Sequence, residues 1–217
     1  MKMIKTFSVT LGVSCLLFLH GNQVSAEWFL NLYAGGQFSG DYGESPPSTS
    51  LKQSLKENPG GSFEVGGRVG RWFEDTPWLG LALDASYYEP DINDAEIYMA
   101  PISALLLLRL RLVPDEEFPE GALEPYFGIG PALFFSKIEL DLKDLGILST
   151  YQDTSTDLGL DTRLGFLVHF TTQWGVHVEF RFTYVEPSYT DTIQGVSADF
   201  EPEFKTYHGL LGMTYRF

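Results

Sequence analysis

Three histidines, His169, His177 and His208, are the side chains best suited to move a proton, because an imidazole changes charge near neutral pH. Joined to a hydroxyl or a carboxylate, one of them could serve nucleophilic or general acid–base catalysis. Around them charged residues fall two apart: Asp161 with Arg163, then His177, Glu179 and Arg181. Other chemistries find incomplete sets. Asp91-Ile92-Asn93-Asp94 followed by Glu96 offers oxygens to calcium but forms no full binding loop. Gly128 and Gly130 do not complete a dinucleotide fingerprint and no strand-to-helix context follows them. The only cysteine, Cys15, lies inside an amino-terminal apolar run, so neither a disulfide framework nor thiol catalysis is on offer. The sequence therefore assigns no catalytic residue, no cofactor and no metal.

What must position these charges is a set of strands, since a spacing of two puts residues on one face of a strand and scatters them around a helix. From Trp174 to Tyr184, one face carries Trp174, Val176, Val178, Phe180, Phe182 and Tyr184, and the other Gly175, His177, Glu179, Arg181 and Thr183. The segment before it repeats the pattern. Leu158, Leu160, Thr162, Leu164, Phe166, Val168 and Phe170 oppose Asp157, Gly159, Asp161, Arg163, Gly165, Leu167 and His169. Thr171 to Gln173 between the two suits a tight hairpin turn. Six more strands are predicted at Trp28–Phe38, Phe63–Phe73, Trp78–Tyr88, Ile97–Leu112, Tyr126–Leu140 and Tyr207–Phe217. Within the fourth, Ala104 to Leu108 is continuously apolar, but Arg109 and Arg111 share a face opposite Leu108, Leu110 and Leu112. In the fifth, Pro131 cannot donate to a ladder and marks an expected bulge.

The amino terminus has the form of a secretory signal peptide: Lys2 and Lys5, the apolar run Phe7 to Leu19, and Val24-Ser25-Ala26 before Glu27. The expected organisation is residues 1–26 as signal peptide and 27–217 as one domain. Removing the signal leaves 12 basic residues against 29 acidic ones, a formal charge of −17, which makes nucleic acid an implausible partner. A mean hydropathy of −0.04 resembles that of a soluble protein. Eight apolar-and-polar strands nevertheless fit a transmembrane barrel, whose polar lumen and loops dilute its apolar face.

Connection lengths largely support this, although the second turn is longer and the second loop shorter than a barrel predicts. Glu74–Pro77, Pro114–Glu124 and Thr171–Gln173 read as turns at one end, and Ser39–Gly61, Glu89–Glu96, Asp141–Thr156 and Glu186–Phe204 as loops at the other. Trp28, Phe73, Trp78, Tyr126, Trp174 and Phe217 are predicted to form the lower interfacial girdle, and Phe38, Tyr87, Tyr98, Tyr184 and Tyr207 the upper. A soluble lipocalin-like barrel would carry more lysine on its polar face than Lys137 and Lys205 near strand ends.

The ending Leu210-Leu211-Gly212-Met213-Thr214-Tyr215-Arg216-Phe217 is similar to the terminal signal of outer-membrane barrel proteins. Gly212, Met213, Tyr215 and Phe217 match it, while Leu210 stands where a polar residue is usual. Trp28 to Gly36 and Gly66 to Phe73 also resemble the small porin-like, OmpA-type barrel superfamily. The resemblance implies an all-β, eight-stranded antiparallel up-and-down barrel in a bacterial outer membrane, with both termini in the periplasm. It also implies recognition of the terminal signal by the barrel-assembly machinery. No complete match to the lipid A deacylase, palmitoyltransferase or outer-membrane protease patterns is present.

On that frame the polar face is the lumen. It gathers Glu64, Arg68, Asp84, Arg109, Arg111, Asp157, Asp161, Arg163, His169, His177, Glu179, Arg181, His208 and Arg216. Eight strands leave an interior that side chains can nearly fill, so these are expected to form an ion-pair network rather than a wide pore. Arg109, Arg111, Arg163 and Arg181 favour anions if a narrow path exists. His169 and His177 fall near the turn ends of their strands, leaving His208 as the one histidine nearer the outside. The expected role is structural or surface interaction, with a narrow small-solute channel as the alternative, and not catalysis. Expected partners are outer-membrane lipid and lipopolysaccharide, together with an extracellular ligand at loops that carry Asp41, Glu44, Glu57, Glu89, Asp91, Asp94, Glu96, Asp141, Asp144, Asp153, Asp191, Asp199, Glu201 and Glu203. A monomer is expected. Leu164→Arg or Phe180→Arg should be costly, and Thr183 should tolerate polar replacement.

Overall fold

The computed structural model describes residues 27–42, 62–89, 91–92, 95–114, 118, 121–141, 150–186, 189–193, 196–200 and 204–217. The expected signal segment and much of the acidic loop sequence lie outside them. Among the described residues the chain forms strands and no helix: β1 (Glu27–Tyr42), β2 (Ser62–Trp72), β3 (Leu79–Tyr88), β4 (Asp91–Ile92), β5 (Ala95–Arg109), β6 (Leu123–Asp141), β7 (Thr150–His169), β8 (Trp174–Val185), β9 (Tyr189–Ile193), β10 (Val196–Phe200) and β11 (Phe204–Arg216). Eight close into a barrel. Hydrogen bonds run β3-β2-β1-β11-β8-β7-β6-β5, and the pairing of β3 with β5 completes the ring. Every pair is antiparallel and barrel neighbours follow one another in the chain, apart from the closing contact of β1 with β11. This is an up-and-down barrel with no free edge.

Strands are longer at the loop end than the alternation predicts. The β6–β7 pairing runs from Leu123↔Val168 to Asp141↔Thr150, and β7 has 20 residues. A tilted strand needs about 9–11 residues to cross a bilayer, so this hairpin is longer than a crossing would require. The connection read as Asp141–Thr156 shrinks accordingly. The one read as Glu89–Glu96 holds β4, paired with the start of β5 through Asp91↔Glu96, and the one read as Glu186–Phe204 holds the β9–β10 ribbon. At the opposite end β5 stops at Arg109, and Leu112 makes only an isolated bridge to Leu123.

The bulge expected at Pro131 is absent. The β5–β6 register is the same on both sides of it, Ser103↔Ala132 and Leu106↔Ile129, and on β7 Pro131 sits opposite Leu160 without a shift. The missing donor is accommodated by a lapse in pairing rather than by an inserted residue. Gly130 permits it, because a Cβ there would stand 1.8 Å from the carbonyl oxygen of Ala104 on the neighbouring strand. The one register shift of β1 with β11 lies between Gln37 and Ser39.

Side chains alternate between outside and inside as the period of two requires. Along β8 exposed and buried positions follow one another, Val178 being 60% exposed and Glu179 1%. The outward face is leucine, valine, isoleucine and aromatics, which in water would be a large exposed apolar surface and in a bilayer is the matching one. Tyr126, expected in the lower girdle, is inside and buried. It shares the inward face of β6 with Gly128, Ala132 and Phe134.

Candidate functional site

The lumen is built in layers. Toward the loop end, Tyr88, Ile97, Met99, Ala132, Phe134, Val185 and Phe204 form an apolar cluster. Toward the end where β1 begins and β11 finishes, Phe29, Trp72, Ala82, Leu105 and Leu107 form a second. Leu105 and Leu107 explain the continuous apolar run of β5: its inward positions belong to this layer while Ala104, Leu106 and Leu108 face outward.

Between the apolar clusters sits an ionic layer. Arg68 and Asp84 are paired across β2 and β3, Arg163 and Arg181 across β7 and β8, which brings charges from opposite walls to one height. The Arg163 guanidinium is the hub, reaching Asp84 at 2.6 Å, Asp161 at 2.9 Å and Glu179 at 2.9 Å. Arg68 contacts Glu179 at 2.7 Å and Asp84 at 3.1 Å. Arg181 contacts Asp161 at 2.8 Å, pairs with Glu64 and donates to Ser86 at 2.6 Å. Three hydroxyls fill remaining acceptor sites: Tyr33 donates to Asp84 at 2.7 Å, Ser103 to Asp161 at 2.6 Å and Tyr126 to Glu179 at 2.7 Å. All of these side chains are buried. A desolvated charge is tolerable only with such partners.

Glycines make room for the rings that complete the layer. A Cβ on Gly66 would meet the Tyr33 ring at 2.4 Å, and one on Gly165 the Tyr126 ring at 2.3 Å. The Arg68 guanidinium in turn lies 5.9 Å from the Tyr33 centroid and 6.0 Å from that of Tyr126.

His208 adjoins this layer. Its Nδ1 is 2.7 Å from Glu64 Oε2 and its Nε2 2.8 Å from the Thr206 hydroxyl, which also bonds Thr183. A hydroxyl, an imidazole and a carboxylate in series have the order of a catalytic triad. Here the three side chains are sealed: Thr206 is 1% exposed, His208 and Glu64 0%. The Tyr88 ring covers His208 edge-on at 4.8 Å between centroids. His177 lies apart and bonds Thr214 at 3.0 Å.

A second charged group occupies the end where the termini meet. Glu27 accepts from Arg109 at 2.5 and 2.9 Å and from Arg111 at 3.2 Å, and Arg216 approaches it at 2.8 Å. Glu124 pairs with Arg216, lies 3.3 Å from Arg109 and has His169 at 3.8 Å. Arg109 also stacks on Trp72, 4.2 Å from the ring centroid. An open vestibule of about 570 Å³ begins here. Between this group and the ionic layer is a void of about 20 Å³ beside Asn31, Thr214 and Tyr126, enough for roughly one water.

The lumen residues named from the sequence thus divide. Glu64, Arg68, Asp84, Asp161, Arg163, Glu179, Arg181 and His208 come together. Arg109, Arg111, His169 and Arg216 are at the mouth, His177 stands between, and Asp157 is half-buried and accepts from Ser155 at 2.5 Å. Glu27, Glu124, Tyr33 and Tyr126 are members that sequence reasoning left out. Of the terminal residues, Met213 and Phe217 face outward, Tyr215 is half-buried between Trp174 and Phe217, and Gly212 faces inward beneath the His177 ring.

Among the described residues no group of histidine, cysteine and carboxylates is arranged to hold a metal ion. The side chains of Asp91, Asn93, Asp94 and Glu96, the incomplete set of oxygens that the sequence offers to calcium, lie outside that description.

The fold is shared with solved structures. Neisserial surface protein A has a TM-score of 0.56 at 14% identity, covering 89% of this chain and 99% of its own. OprG of Pseudomonas aeruginosa has 0.53 at 13%, covering 89% and 96%. The amino-terminal β-barrel domain of OprF from the same organism has 0.50 at 14%, covering 89% and 100%. No curated protein matches the chain in sequence. The family of the outer membrane protein beta-barrel domain matches residues 11–217, and with the closed eight-strand barrel and its apolar outer wall this makes the chain a member of that family, a bacterial outer-membrane protein.

Proposed function

We propose that this protein is a non-conducting barrel with a structural or surface-interaction role, inserted with both termini in the periplasm and its long strand extensions outside. The interlocked ionic layer carries this reading. A conducting path would have to separate Arg163 from three carboxylates that it touches at 2.6 to 2.9 Å, and then cross an apolar cluster at either side. Removing one partner of such a buried pair costs about 3–5 kcal/mol, so thermal opening is rare. Connection lengths support the orientation: most are short where β1 begins and β11 ends and most are long at the other end, as in bacterial outer-membrane barrels, although 110–122 between β5 and β6 is longer than 142–149 between β6 and β7.

Surface interaction is assigned to the loop end, where the acidic residues of the sequence concentrate, and its ligand would be extracellular. The similarity to a protein named as a neisserial surface protein is consistent with it. Lipopolysaccharide and outer-membrane lipid are the remaining contacts, with the assembly machinery during insertion, and the barrel acts as a monomer. Catalysis is disfavoured because the Thr206, His208 and Glu64 series has no access for a substrate.

Planar-bilayer recording of the purified, folded protein tests the reading. A silent bilayer is the expected result, and reproducible conductance steps would replace it with a small-solute channel.

A further inference from the structure

The outer wall carries a groove that the lumen does not explain. Two outward rows cross the sheet side by side: Val69, Leu83 and Ala104, and Arg71, Leu81, Leu106 and Ile129. Ala104 places only a methyl among branched neighbours, and Pro131 with the close-packed Gly130 adds little height beyond it. The surface dips there into a depression of about 600 Å³, within the range of about 300–1,000 Å³ typical of ligand sites. Four strands at about 4.8 Å spacing make it roughly 14 Å long.

One end of the groove is not apolar. Arg71 faces outward and is exposed, its guanidinium 5.8 Å from the centroid of the Trp28 ring, with Phe73 beside them. Among the described residues no carboxylate pairs with it. Lys137 on β6 and Lys205 on β11, the other outward-facing bases among the described residues, are at the loop end, over the rings of Tyr98 and Tyr184. An arginine on a lipid-facing wall reaches for the interface and for an anion there, and Trp28 marks that interface.

We propose that this groove is a binding site for one glycerophospholipid, its phosphodiester on Arg71 and one acyl chain lying across Val69, Leu83, Ala104 and Pro131. The charge at one end and the apolar length at the other match the two halves of such a molecule. The choice of phospholipid over lipopolysaccharide rests on the orientation proposed above, which puts Arg71 in the periplasmic leaflet.

Native mass spectrometry of the folded protein in non-ionic detergent, with palmitoyl-oleoyl phosphatidylglycerol as probe, tests it. Folding of each variant is verified by the mobility change on boiling. The expected result is one retained lipid in the parent protein, several-fold lower occupancy in both Arg71→Gln and Ala104→Phe, and unchanged occupancy in Val178→Phe on the opposite wall. Ala104→Phe fills the groove without touching the charge, so either variant alone can carry the test. Equal retention in all four proteins would reduce the contact to ordinary annular lipid and overturn the site. Preference for lipid A over phosphatidylglycerol at the same residues would overturn the occupant, and with it the orientation. Conductance steps, by contrast, would remove the packed-lumen reading and leave this result standing.

Discussion

The ionic layer at mid-barrel and the charged group at the mouth use one chemistry, guanidinium against carboxylate, in two environments. In the layer, Arg68, Arg163 and Arg181 and their four carboxylates are shut away from water between apolar clusters, and each charge has several partners. At the mouth, the side chains of Glu27 and Arg111 remain 21% and 27% exposed and the vestibule is open. Buried charges that lose a partner cannot recruit solvent, whereas exposed ones can. The layer should therefore be brittle and insensitive to salt, and the mouth tolerant and screened.

The sharpest way to break this comparison is at the hub. Arg163→Ala leaves Asp84, Asp161 and Glu179 without their shared cation, with an expected loss of about 3–5 kcal/mol. Urea unfolding in detergent, followed by the gel-mobility difference between boiled and unboiled samples, would read it. A loss near zero would mean that water reaches the layer.

Its neighbour in sequence asks whether arginine itself or its partners matter. Leu164 points into lipid, 53% exposed, and Leu164→Arg is expected to cost about 2–4 kcal/mol near the bilayer midplane. The same residue type would then stabilise at position 163 and destabilise at 164, one step along β7. Equal tolerance at both positions would contradict the assignment of faces.

Thr183 tests the rim of the layer. The alternation puts it on the polar face and predicts tolerance of polar replacement, but its hydroxyl is buried and bonded to Thr206, and so linked to His208 and Glu64. Thr183→Val keeps the shape and removes the bond, with an expected cost of about 1 kcal/mol. Thr183→Gln should cost more, about 1–3 kcal/mol, through overpacking. The same urea series separates them, and a neutral Thr183→Gln would restore the looser lumen that the sequence implies.

How much of this was legible follows from what alternation can encode. It fixes faces, because parity along a strand decides inside or outside. The inward set from Glu64 to His208 was readable for that reason, as was the division between Arg109 and Leu108. It does not encode height, which depends on the register between strands, so the separation of Arg163 from Arg109 was invisible. Glu27 and Glu124 sit at strand starts, where too few neighbours exist to show a period. Residue type places Tyr126 in the girdle, although its parity with Gly128 points inward. The sequence shows only the missing donor of Pro131, while the response to it comes from Gly130 and from Ala104 across the ladder.

The smallest expected effect is at the mouth, and salt is its measure. Glu27→Gln removes a carboxylate from among Arg109, Arg111 and Arg216, yet Glu124 stays between two of these arginines and the vestibule admits water and counter-ions. The loss should be about 1 kcal/mol or less at low salt. It should shrink further as ionic strength rises and the Debye length falls from about 10 Å at 0.1 M to about 3 Å at 1 M. Arg163→Ala measured in the same two buffers should give the same loss in both, because no ion reaches the layer. If the loss at Glu27 instead stays constant with salt and approaches that of Arg163→Ala, the mouth is sealed in solution and the two ends of the lumen obey one rule.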